Sequence, residues 1–111
     1  MQLLFICSRN KWRSPTADRI WRRPPLIDTR SAGTSQKAKR RVTKSDIRWA
    51  DAICVMEQKH KRQLLARFPR LLREKAIHVL DIPDDYGYMD PELVKQLEAS
   101  VEAIFLISDQ N

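Results

Sequence analysis

Glycine and cysteine are both scarce in this chain, with two of each among 111 residues. The cysteines, Cys7 and Cys54, lie inside apolar stretches. That usage excludes a disulfide scaffold and suits a reducing, cytoplasmic setting. His60 and His78 are the only histidines, and with the cysteines they form no close cluster at metal-ligand spacing. No apolar run approaches the roughly 18 residues of a membrane span, and the amino terminus lacks a signal-peptide pattern, so no membrane partner is expected. With glycine only at 33 and 87, a tight loop elsewhere must be made by other residues. Negative charge is short as well. Fourteen acidic residues against 21 basic ones give a formal charge of +7, which favours anionic partners: phosphorylated proteins, small phosphates or nucleic acid. A chain of this length with 42% hydrophobic residues is expected to form one globular domain, residues 1–111.

What the chain does have is concentrated near its start. Leu3-Leu4-Phe5-Ile6 reads as a short buried strand closed by Cys7. After five intervening residues come Arg13 and Ser14, and then Pro15. Pro is favoured at a first helical position, and Ser before it can cap free N–H groups, so a helix is expected to open here. Strand, loop and helix start thus meet around one thiol. A helix start offers unpaired donors and partial positive charge, which suit a thiolate and a phosphate-like dianion alike. With Arg13 beside it, Cys7 reads as a nucleophile built into a phosphate-binding loop. The plainer alternative is an inert buried thiol at a strand end. Asn10 is the loop residue that best tolerates a left-handed backbone in the absence of glycine.

Further along, Ala17, Ile20 and Trp21 mark a short amphipathic helix that Arg22-Arg23-Pro24-Pro25 ends. A second strand near 28–33 runs into Gly33, and the basic run 35–42 reads as a solvated connection. Thr43-Lys44-Ser45-Asp46 resembles a capping box and starts a helix through Trp49. Ala52-Ile53-Cys54-Val55-Met56 is a third strand, with Cys54 as packing. A basic helix follows from about Glu57, with Leu64, Leu65 and Phe68 on its buried side and His60 expected at the surface. A fourth strand near 76–81 ends at Asp81, before the acidic, aromatic loop Ile82-Pro83-Asp84-Asp85-Tyr86-Gly87-Tyr88-Met89. Asp90-Pro91-Glu92 starts a final helix whose apolar stripe is Leu93, Leu97, Val101, Ile104 and Phe105. Strands alternating with helices imply an α/β fold with a parallel sheet and helices on both faces. Ligands of such sheets bind at the carboxyl ends of strands, where Cys7 and Asp81 stand.

Residues 4–18, Leu-Phe-Ile-Cys-Ser-Arg-Asn-Lys-Trp-Arg-Ser-Pro-Thr-Ala-Asp, resemble the active-site signature of the low-molecular-weight protein tyrosine phosphatases, most of all their small bacterial branch. Ser31-Ala32-Gly33-Thr34, the Val42–Ile47 helix start, Ala50–Met56 and Asp81–Tyr86 follow in the family's order. The resemblance implies a three-layer sandwich around a four-stranded parallel sheet of order 2-1-3-4. It also implies phosphate-ester hydrolysis with no cofactor or metal. Cys7 would attack phosphorus. Arg13 would grip the phosphoryl oxygens within a loop of Ser8, Arg9, Asn10, Lys11 and Trp12. Asn10 and Ser14 would support the loop and the thiolate, and Tyr86 and Tyr88 would line the substrate wall or else be loop aromatics. The expected partners are a phosphotyrosine protein or small aryl phosphate, with inorganic phosphate or sulfate able to sit in the loop.

Several positions depart from the family's pattern. Where larger relatives place the general-acid Asp directly before Pro, this chain has Ile82. Asp81 is preferred for its fixed strand-end position, with Asp84 as the alternative and Asp85 adjacent. Trp12 stands where relatives often have a protecting second cysteine, which leaves Cys54 or an external thiol for that role. The residues also leave two other readings open. Arsenate reduction on the same scaffold would need further cysteines. A non-catalytic phosphate- or nucleic-acid-binding module would use Arg9, Lys11, Trp12 and the basic 37–41 run.

Overall fold

The computed structural model describes residues 1–105. Strands β1 (Gln2–Cys7), β2 (Asp28–Gly33), β3 (Ala52–Val55) and β4 (Ala76–Val79) alternate with helices α1 (Arg13–Trp21), α2 (Lys44–Trp49), α3 (Gln58–Arg67) and α4 (Pro91–Phe105). All strand pairs are parallel, in the order β2-β1-β3-β4. The element order and the sheet order both match the expectation. β1 lies inside the sheet and is buried on both faces, which is why its apolar residues run continuously rather than alternating.

The period-2 geometry of β1 divides the core. Leu3, Phe5 and Cys7 pack with Ala17 and Trp21 of α1 and Leu93, Leu97 and Val101 of α4. Leu4 and Ile6 pack on the other face with Ile47, Leu64, Phe68 and Leu72. The fold is therefore a three-layer sandwich, with α1 and α4 on one side and α2 and α3 on the other. Because Cys7 shares its face with Leu3 and Phe5, its thiol emerges on the α1 side. β1 connects through α1 to a neighbour on one side, while its other neighbour, β3, is reached from β2. The sheet's topological switch therefore falls at the carboxyl end of β1.

The Thr43 capping box forms as read: the Thr43 Oγ1 accepts from the Asp46 N–H at 3.2 Å, and an Asp46 oxygen accepts from the Thr43 N–H at 2.9 Å. Asp46 also pairs with Arg30 and Arg40. Burial alone would raise its carboxyl, but Arg40 and the Thr43 amide outweigh burial and hold it below the usual range. Arg40 is thus anchored, and the basic 35–42 run is only partly a solvated connection. The start of α1 also differs from expectation. The helix opens at Arg13 with no side-chain cap from Trp12, and Ser14 lies inside the first turn with its hydroxyl committed elsewhere. Leu64 of α3 and Phe68 at its C-cap are buried as expected, whereas Leu65 faces solvent. Among the described residues, no helix is long and apolar enough to cross a membrane.

Candidate active site

The loop after β1 is held from outside by the segment after β2. The carbonyl oxygens of Cys7, Ser8 and Arg9 accept from the N–H groups of Thr34, Ser35 and Lys39 at 3.0, 2.9 and 3.0 Å. In a trans peptide the N–H points opposite to the C=O, so the amides of Ser8, Arg9 and Asn10 are turned away from that segment, toward the loop's interior. Asn10 makes the turn with φ of 53°, the left-handed value expected of it. Gly33 lets the two segments approach: a Cβ there would stand 2.4 Å from the Ser8 carbonyl oxygen and 2.7 Å from the Ala38 Cβ.

Cys7 is buried, with its sulfur 3.0 Å from the Ser14 Oγ. The Asn10 Nδ2 donates to that same Oγ at 3.0 Å, so the Ser14 proton is left for the sulfur or, at 3.3 Å, the Ala32 carbonyl. Donation to sulfur is the arrangement a thiolate selects. Pro15 brings no N–H to the first turn of α1, and the first backbone bond of the helix runs from the Thr16 N–H to the Trp12 oxygen. The amides of Arg13 and Ser14 thus remain at the helix's positive end.

Arg13 is 2% exposed. Its Nη1 donates to the Glu57 carboxylate at 2.5 Å and to the Ile82 carbonyl at 2.7 Å, and its Nε lies 3.6 Å from an Asp84 oxygen. Burial would raise the Glu57 carboxyl, but Arg13 outweighs that and keeps it below the usual range. Directly behind stands His60, fully buried rather than at the surface as its place in a basic helix implied. Its Nδ1 accepts from the Glu57 N–H at 3.0 Å, which puts the ring proton on Nε2, donating to the Ser8 Oγ at 2.8 Å. Burial, reinforced by Arg13, pushes the imidazole down to about 4, so it is a neutral donor at physiological pH.

These elements enclose a hollow of about 280 Å³, lined by Cys7, Ser8, Arg9, Lys11, Trp12, Arg13 and Asp84. Five of the six residues expected to bind phosphate line it. The sixth, Asn10, turns its side chain to Ser14 instead. The aspartates separate. Asp84 lines the hollow, whereas Asp81, at φ of 55°, lines a different one with Glu57, Lys59, Arg62 and Pro83. Asp85 is exposed and lines neither. The tyrosines expected as the substrate wall are also displaced from the hollow. Tyr86 packs on the α1/α4 core and its hydroxyl accepts from the Gln96 Nε2 at 2.6 Å. Tyr88 accepts from the Arg19 Nη1 at 3.3 Å and borders a neighbouring hollow. The aromatic at the mouth is Trp12, 38% exposed. Cys54 is fully buried, and burial pushes its thiol up to about 12. Among the described residues, no group of three or more His, Cys, Asp or Glu is placed to hold a metal ion.

Glu57 and His60 were missed by sequence reasoning. The available signal was position: both follow β3, the neighbour of β1, at the same end of the sheet.

No protein-family model matches the sequence, and no curated protein matches it. Solved structures do match. A protein tyrosine phosphatase from Entamoeba histolytica is 24% identical with a TM-score of 0.77, over 100% of this chain and 97% of that one. SP-PTP, the low molecular weight protein tyrosine phosphatase from Streptococcus pyogenes, is 17% identical with a TM-score of 0.77, over 99% and 93%. The chain thus has the α/β fold of the low molecular weight protein tyrosine phosphatases, as its signature implied. The same fold is found in the YwlE arginine phosphatase from Geobacillus stearothermophilus, which is 20% identical with a TM-score of 0.70 over 99% and 97%.

Two expectations test the site's construction. Gly33→Ala forces a methyl group against backbone and should cost about 1–3 kcal/mol in urea unfolding, a range typical of overpacking. For His60, the folded value lies below the unfolded one. The native state therefore binds fewer protons, and stability present above about 6.5 is lost as pH falls toward about 4. Imidazole NMR should show the His60 ring neutral at pH 5.5, and the fall of the urea midpoint between pH 6.5 and 4 should be shallower in His60→Gln.

Proposed function

We propose that the protein is a cysteine-dependent phosphatase that hydrolyses phosphotyrosine or other aryl phosphate monoesters through a cysteinyl-phosphate intermediate. The observation that carries this reading is one hollow that combines a strand-end thiol facing a helix start, inward-turned amides, a buried guanidinium and a carboxylate. In the first step the Cys7 sulfur forms a bond to phosphorus as the ester P–O bond breaks, and Asp84 gives its proton to the leaving phenolate. In the second step water attacks phosphorus, Asp84 takes its proton, the S–P bond breaks and phosphate leaves. The amides of residues 8–13 and the guanidinium of Arg13 meet the charge on the equatorial oxygens. With Nη1 committed to Glu57 and Ile82, the remaining N–H groups of Arg13 are those offered to phosphate. Glu57 and His60 are positioning residues, acting through Arg13 and Ser8.

Asp84 is assigned as the acid in place of Asp81 because it borders the thiol's hollow. The indole of Trp12, lining the hollow together with the cations Arg9 and Lys11, favours an aromatic leaving group over a cationic guanidinium. Arsenate reduction is disfavoured, since Cys54 is too deeply buried to resolve an oxidised Cys7. The setting is cytoplasmic, as reduced, free Cys7 and Cys54 support.

Cys7→Ser should abolish turnover of phosphotyrosine in metal-free buffer while phosphate still binds. Arg13→Lys should lower kcat by about 10²–10³, because a point charge cannot replace the planar fork. Asp84→Asn should cut kcat on phosphotyrosine, a poor leaving group, and remove the limb of the pH–rate profile due to the acid, whereas Asp81→Asn should keep both. Turnover retained in Cys7→Ser would refute the phosphatase. The reverse result for the two aspartates would move the acid to Asp81.

A further inference from the structure

Beside the phosphate hollow lies a second, larger one of about 460 Å³, bordered by Lys11, Trp12, Ser31, Lys39 and Tyr88. Lys11 and Trp12 belong to both hollows, and the Lys11 Nζ sits 4.7 Å from the Trp12 ring centre. The two hollows therefore share one wall, formed by an exposed indole and an ammonium group. Several of the neighbouring basic side chains have carboxylate partners. Arg13 is paired with Glu57 and Asp84, Arg22 with Asp18, and Arg30 and Arg40 with Asp46. Arg9, Lys11 and Lys39 differ: all three are exposed, and none has a carboxylate within 4.0 Å among the described residues. What sets these three apart from other unpaired cations is their place, around the thiol's hollow and its neighbour. Like charges gathered this way raise each other's energy, and the arrangement becomes favourable when an anion enters.

We infer that the preferred substrate is a phosphotyrosine in an acidic peptide, with its phosphate in the Cys7 hollow and a neighbouring Asp or Glu carboxylate in the second hollow, against Lys11 and Lys39. The inference rests on the phosphatase reading and adds a substrate class to it. The Trp12 ring packs along the tyrosyl ring at the shared wall, and Tyr88 and Ser31 supply the hydrogen-bonding rim on the far side. Arg9 meets acids on the opposite flank of the phosphotyrosine.

The test compares kcat/KM for three phosphotyrosine peptides of equal length, with flanks of Asp/Glu, Ser/Gly or Lys, and for free phosphotyrosine. At low salt the acidic peptide should exceed the neutral one by about tenfold, the sum of two or three exposed charge pairs. The lysine peptide should fall below both. The acidic-to-neutral ratio should drop toward one near 0.5 M salt, where screening shortens the reach of exposed charges to about 4 Å. It should fall to one or below in Lys39→Glu and be kept in Lys39→Arg, which separates side-chain charge from any change in the loop. A ratio of one in the wild type, with free phosphotyrosine hydrolysed, would overturn this inference and leave the phosphatase standing. A ratio unaffected by Lys39→Glu would also overturn it. If neither free phosphotyrosine nor any peptide is hydrolysed, the phosphatase reading fails and the inference fails with it.

Discussion

Three outward-turned carbonyls govern this structure. The oxygens of Cys7, Ser8 and Arg9 are each taken up by an amide of the 34–39 segment, so the opposite edges of those peptides face inward. Without that clamp, a loop with no glycine would relax toward ordinary turns, and its donors would scatter. The clamp needs close approach, and Gly33 provides it at the end of β2. One of the chain's two glycines is thus spent beneath the loop, not within it. Inside the loop, Asn10 carries the left-handed backbone and also donates to Ser14, so one residue sets both the turn and the direction of the hydroxyl beside the sulfur.

A second constraint acts on the guanidinium. Arg13 has been drawn out of water on α1, and a charge so placed demands partners. Glu57 and the Ile82 carbonyl supply them on one edge. Glu57 in turn is set by its position at the head of α3, where its own N–H is capped by His60. A cationic His60 would stand beside Arg13 with two donors and no acceptor for that N–H, so the network works only with a neutral ring. The carboxyl end of β1, the start of α1 and the start of α3 are therefore locked together by polar contacts across the sheet's edge. The apolar layers on either face hold the elements at the spacing those contacts need.

The parts legible in the sequence were those specified locally. β1 could be read from Leu3 to Cys7 because a strand buried on both faces is a continuous apolar run. The Thr43 box and the Asp90-Pro91 start were legible because capping is decided within four residues. Asn10 was legible because few residues other than glycine accept its backbone. What could not be read was set by partners distant in sequence. Ser14 read from its neighbours alone looked like a cap, and only the family resemblance gave it to the thiolate, where its hydroxyl in fact lies between Cys7 and Asn10. His60 looked exposed within Gln-Lys-His-Lys-Arg, yet it lies over Ser8, 52 residues away. Its burial follows from β3 being next to β1, a fact of topology that helical periodicity does not carry.

Topology also separates the aspartates. Past β4, the N–H groups of Leu80 and Ile82 still pair with the carbonyls of Val55 and Met56 at 2.9 and 2.8 Å. Both side chains are buried, so the chain remains pinned to β3 on either side of Asp81. Asp81 between them takes a left-handed φ and turns outward, onto the α3 side. The sheet does fix its position, as a strand end should, but fixes it away from the thiol. Ile82 buries its side chain and lends its carbonyl to Arg13, so the position before Pro83 is already occupied with holding the guanidinium. Asp84 is the first acid beyond this anchor. The loop that carries it is tied back by the Met89 N–H to Thr16 of α1 and by Tyr86 to α4. For the proposed general acid, which would first give and then take a proton at one oxygen, such a tethered loop is a better place than the segment after β4, where the ladder has already chosen the direction.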